Sequence, residues 1–73
     1  MIESLQEILR QQMNDESIII NEKTVLQTDL GLDSYALIEL VCEIEERFNI
    51  EIPDREIRHL KTVQSLMDYI ALR

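Results

Sequence analysis

An all-α fold, a small four-helix bundle of three longer helices and one short one with a long loop between helices one and two, is predicted by three observations. The 73 residues contain one Gly, one Pro and three aromatics, so little interrupts long helices. Three stretches carry apolar residues at a 3.6-residue period. Between the first two lies a segment with neither helical period nor strict alternation.

Helix one is expected over Ile2 to Met13, where Ile2, Leu5, Ile8, Leu9 and Met13 share a face. Asn14 and Asp15 are poor helix-interior residues and end it. The segment ESIIINEKTVLQTDLGLD reads as a loop pinned across the bundle by Ile20, Val25, Leu26, Leu30 and Leu32. Ile18 to Ile20 have the β-branched character of a short strand, but no second strand is evident to pair with them. Asp33 or Ser34 caps helix two, which runs to about Phe48 and stops at Asn49, a residue that tolerates the left-handed conformation. Leu37, Leu40, Val41, Ile44 and Phe48 form its core stripe. Pro53 makes Ile50 to Pro53 an extended connector. Asp54 is expected to cap a short helix three, about Arg55 to Leu60, with Ile57 and Leu60 inward. Thr62 is expected to cap the last helix, with Val63, Leu66, Met67 and Ile70 at helical spacing.

A chain this short buries only about 60% of its unfolded surface and forms a single domain, 1–73. Fifteen acidic residues against seven basic ones give a formal charge of -8, which repels nucleic acid and anionic membranes and favours proteins with basic patches. With one cysteine, no internal disulfide or multi-cysteine metal site forms. MIESLQEIL lacks the charge pattern of a signal peptide, and no apolar run approaches the roughly 20 residues of a membrane span. The expectation is a cytoplasmic monomer.

Catalytic chemistry finds little support. His59, the only histidine, has no nucleophile held beside it by the sequence and reads as solvated or structural. Glu45 and Glu46 point about 100° apart around their helix, which suits a solvated face and not a shared acid-base site. The region from Asp29 to Asp33 lacks the acids of a calcium loop. No metal site is expected. The information lies on helix two, where Tyr35, Ile38 and Cys42 sit off the core stripe among Glu39, Glu43, Glu45 and Glu46. Glu39 and Glu43, four apart, repel by a few tenths of a kcal/mol, relieved in part by a Glu43 to Arg47 pair. Local helix stability does not favour that arrangement.

The stretch LGLDSYALIELVCEIEERFNIEIPD, with TVQSLMDYI at Thr62 to Ile70, resembles the acyl carrier protein family: an apolar-Gly-apolar-Asp-Ser entry to an acidic second helix, then EERF, EIPD and a TVQ-led last helix. The similarity covers about Thr24 to Ile70, and helix one fits by pattern alone. The resemblance implies a non-catalytic carrier. Ser34, preceded by Asp33, would be the attachment point of 4'-phosphopantetheine, moved from coenzyme A by a separate phosphopantetheinyl transferase. The arm's thiol would carry acyl groups as thioesters for enzymes of fatty acid or related lipid synthesis. Alternatives are an aminoacyl, peptidyl or polyketide carrier of a dedicated pathway, or an unmodified acidic adaptor.

By the same resemblance, Tyr35, Ile38, Glu39, Cys42, Glu45 and Glu46 would dock on basic patches of acyl-transferring, condensing and processing enzymes. Leu37, Val41, Ile44, Ile52 and Ile57 would line an acyl cavity between helices two and three, unless they form an ordinary closed core. The chain departs from the family pattern at Tyr35, usually Leu or Met, and at Ala36, where an acid is frequent. Both flank Ser34 and bear on which enzymes are its partners.

Overall fold

The computed structural model describes residues 1–72 and contains four helices: α1 (Ile2–Met13), α2 (Ser34–Phe48), α3 (Asp54–Ile57) and α4 (Val63–Ala71). The ends of α1 and α2 follow one physical rule. Asn14 and Asn49 adopt φ of 54° and 55°, and their backbone N–H groups fold back on carbonyls of the preceding turn. Asparagine bears this left-handed turn better than most residues, so both helices stop where their apolar period stops. Thr62 and Ser65 open α4 with a reciprocal capping box, each side chain accepting from the other's backbone N–H.

The core gathers Leu5, Ile8 and Leu9 of α1, Leu40 and Ile44 of α2, and Val63 and Leu66 of α4, all at most 2% exposed. Leu26 from the long loop joins them at 0%. Full burial of one such side chain contributes about 1.5–3 kcal/mol, which is why a loop rich in Leu and Ile stays on the bundle. Tyr69 is a core residue that the apolar period of α4 did not single out: its ring is buried and its hydroxyl donates to the Glu51 carbonyl at 3.4 Å.

The long loop is held by hydrogen bonds as well as by its apolar anchors. Val25 and Thr62 form an isolated antiparallel bridge, flanked by bonds from Leu26 N–H to the Lys61 carbonyl (2.9 Å), Val63 N–H to Thr24 (3.1 Å) and Gln64 N–H to Glu22 (2.9 Å). Loop and α4 start are thus clamped together. Gln6 and Arg10 of α1 donate to the carbonyls of Ile20 and Ile18. Ile18 to Ile20 stay in a loop, with Ile20 buried and Ile19 84% exposed. Gly31, at φ +68°, makes the turn between buried Leu30 and Leu32 that side-chain-bearing residues rarely adopt.

Three expectations are corrected. Helix three is shorter and starts earlier than about Arg55 to Leu60: it is Asp54–Ile57, and its N-cap is Pro53, without a side-chain cap bond. Pro53 sits at φ -62°, ψ 149°, and its carbonyl takes the N–H of Glu56, so Asp54 is already inside the first turn. The bonds His59 to Glu56 and Leu60 to Ile57 then span three residues, tightening the chain out of α-helix while Leu60 reaches the core. Arg47 pairs with Glu7 at 3.1 Å, not with Glu43, because α1 packs alongside α2 and brings a carboxylate across. Glu45 does not belong to a solvated face, for the reason developed below.

Candidate functional site

The entry to α2 is built locally. Asp33, extended at φ -84° and ψ -177°, takes the cap position, and its Oδ1 accepts the Ala36 N–H at 2.8 Å. Of the two residues able to cap, the acid does so. Ser34 becomes the first helical residue, exposed, with no bond within the described residues engaging its hydroxyl. An exposed hydroxyl beside a helix N-terminus, where N–H groups and the positive end of the dipole lie, is a favourable place for an anionic substituent.

Beyond Ser34, the outward side of α2 is apolar along its middle and acidic along its edges. Tyr35 is 69% exposed and Ile38 53% exposed, large fractions for such side chains, and Cys42 is a free exposed thiol. Glu39, Glu43 and Glu46 are exposed around them. Tyr35, Ile38, Cys42, Glu39 and Glu43 share one groove with Ile8, Gln11 and Gln12 of α1. This groove was not legible in the sequence, since its two walls lie more than twenty residues apart.

Gln12 is the least expected member. Its Nε2 donates to the Ala36 carbonyl at 2.7 Å, a contact spanning 24 residues. Because a carbonyl only accepts, the nitrogen must face Ala36, and Oε1 is left buried without a donor among the described residues. Such an atom costs about 1–3 kcal/mol when nothing else pairs with it.

Glu45 parts company with its neighbours. It is half-buried, and its Oε2 accepts the backbone N–H of Ile52 at 2.7 Å. This carboxylate ties the connector between α2 and α3 to the helix, whereas the adjacent Glu46 is exposed. Leu37, Val41, Ile44 and Ile52 are 8%, 3%, 0% and 5% exposed and belong to the main core, while Ile57 is half-buried at its margin. They pack with the rest of the core. Among the described residues no cluster of three or more His, Cys, Asp or Glu side chains could hold a metal ion. No helix of the described chain is long and apolar enough to cross a membrane.

Comparison with known proteins bears directly on this arrangement. A family model described as a phosphopantetheine attachment site matches residues 3–70. The chain is 38% identical over 68 residues to the acyl carrier protein of Wolinella succinogenes, covering 93% of this chain and 90% of that one. It is 37% identical over 65 residues to the acyl carrier protein of Syntrophobacter fumaroxidans, covering 89% and 80%. A solved structure of a Mycobacterium tuberculosis protein assigned as an acyl carrier protein superposes with a TM-score of 0.89 at 30% identity, over 96% of this chain and 93% of that one. A four-helix fold with a long first loop, an acidic second helix and a match across nearly the whole length place the chain in the acyl carrier protein family, whose members are non-catalytic carriers with a phosphopantetheine attachment site.

Proposed function

We propose that Ser34 is the attachment point, and that the chain carries acyl groups as thioesters on 4'-phosphopantetheine between enzymes of fatty acid or related lipid synthesis in the cytoplasm. The observation that carries this reading is the capping geometry: Asp33 occupies the cap, so the Ser34 hydroxyl stands exposed and unengaged at the start of α2. The residues present suit the group. Its phosphate meets the N-terminal end of a helix, and the buried, unpaired Gln12 Oε1 lies on a side chain bonded two residues beyond Ser34. Once attached, the arm supplies a thiol at the end of a long flexible tether. The protein's own part is to hold that tether at one point and to present a recognisable surface.

Docking fits Tyr35, Ile38 and Cys42 as the apolar centre, with Glu39 and Glu46 as charges that set encounter rate. Glu43 joins this set on position, since it shares the groove with them. Glu45 contributes chiefly by holding the connector. Tyr35, exposed and adjacent to Ser34, favours partners with a complementary recess beside the modification site, and so a dedicated pathway with its own enzymes, for which an aminoacyl, peptidyl or polyketide cargo is the second reading.

Incubation with coenzyme A, Mg²⁺ and a broad-specificity phosphopantetheinyl transferase tests the assignment by intact mass. One phosphopantetheinyl group should be gained by the wild type and none by Ser34→Ala. Gain by the variant would move the site elsewhere, and no gain by a folded wild type would favour an unmodified acidic adaptor.

A further inference from the structure

We propose that the groove between α1 and α2 is a resting site for the phosphopantetheine arm, with Gln12 as the side chain that binds it, an inference that rests on Ser34 being the attachment point. The groove begins at Tyr35, the residue after Ser34, and extends to Cys42. Eight residues of helix from Ser34 to Cys42 span about 12 Å, a distance that an extended phosphopantetheine chain covers. The arm therefore enters the groove without crossing any other part of the surface.

Chemical character agrees with position. Beyond the phosphodiester, which stays at the start of α2, the arm is a neutral ribbon that alternates apolar carbons with amide and hydroxyl groups. The groove offers Ile8, Tyr35 and Ile38 for the former, and Gln12, Glu39 and Glu43 as acceptors for the amide N–H and hydroxyl donors. Gln12 is the specific feature. Its nitrogen is fixed on the Ala36 carbonyl, so the orientation of the amide is set in advance, and its buried oxygen lacks a donor. An arm amide supplies one. Gln12 lines the groove, so a side-chain rotation that keeps the nitrogen on Ala36 would turn the oxygen toward the arm. The opposite side of α2 is less available: Glu45 is engaged with Ile52, and Leu37, Val41 and Ile44 are packed in the core.

Two-dimensional NMR of ¹⁵N-labelled protein before and after modification, each checked by intact mass, tests the proposal. Shifts are expected at the Gln12 side-chain amide and at Ile8, Ile38 and Cys42. Perturbation concentrated at Ile52 and Ile57 would overturn it by placing the arm on the other side of α2. Perturbation confined to the neighbours of Ser34, with the groove responding only to an added partner enzyme, would overturn it in favour of protein docking. A wild type that gains no arm mass fails at the earlier assignment of Ser34, which the mass measurement separates from either result.

A second readout uses the free thiol. Treatment of the modified protein with diamide, an azo oxidant that takes up two hydrogens as two thiols join, should form an intramolecular disulfide between the arm and Cys42, absent in Cys42→Ser. Gln12→Leu should keep the fold and slow this closure about fivefold, the equivalent of one net hydrogen bond. An unchanged rate in folded Gln12→Leu would count against Gln12 as the binding side chain.

Discussion

At the residue scale, function and stability meet at neighbouring side chains with separate duties. Asp33 supplies the cap that leaves Ser34 unengaged. Asp33→Ala should therefore destabilise the protein by about 1 kcal/mol, the usual worth of an N-cap, while Asp33→Asn should retain most of that stability. Urea denaturation of the two variants measures the difference, and equal losses would show that charge rather than capping matters. That one of the two caps the helix was readable from the chain because capping acts over three positions, whereas the choice of Asp33 was not. Gln12 was not readable. Its partner is 24 residues away, and a glutamine late in an amphipathic helix carries no local mark of a long-range bond.

At the scale of elements, the contrast between Glu45 and Glu46 shows where pattern reading fails. Both are acids on one helix, and periodicity alone leaves them on a polar face. The connector after Asn49 turns back so that Ile52 N–H points at Glu45, and one of the two becomes an internal hydrogen-bond partner. Glu45→Ala should cost about 1–3 kcal/mol by leaving a half-buried N–H unpaired. Glu45→Gln keeps an acceptor and should cost less. For Glu46→Gln, thermal unfolding should be nearly unchanged, and binding to partner enzymes should be slower to form. Comparable stability losses at both positions would contradict this division. Helix three illustrates a related limit: Pro53 announced a boundary, but whether Pro53 or Asp54 served as the cap depended on backbone angles that neither residue dictates alone.

Charge is a property of the whole molecule, and it gives salt two opposed effects. A net charge of -8 on a small chain repels itself in the compact state. Added salt screens that repulsion, within about 8 Å at physiological ionic strength, so Tm should rise between low and moderate salt. Affinity for basic partner surfaces should fall over the same range. Calorimetry and a binding titration in matched buffers check both signs, and a complex insensitive to salt would argue against acidic docking. Acidification acts at a defined point as well. The Ser17 hydroxyl and N–H bond the Asp15 carboxylate and hold its pKa below the ordinary 3.8. A folded-state pKa that is depressed gives a contribution present above the unfolded pKa and lost as pH falls through the folded one. The Ser17 amide signal should accordingly be constant near neutrality and move only below the ordinary carboxylate range.

The sequence by itself determined which segments are helical, where α1 and α2 end, and that an Asp-Ser pair opens an acidic helix, because periods, caps and left-handed turns act within a few residues. It also determined the family, through an ordered run of such local features. Only the tertiary structure decided that Asp33 rather than Ser34 is the cap, that Glu45 faces Ile52, that Arg47 reaches Glu7, and that Gln12 joins Tyr35 and Ile38 in one groove. Apart from the cap, each of these brings together residues from separate parts of the chain. Such pairings are set by how helices and connectors pack, and packing minimises exposed apolar area and unpaired polar groups over the molecule as a whole.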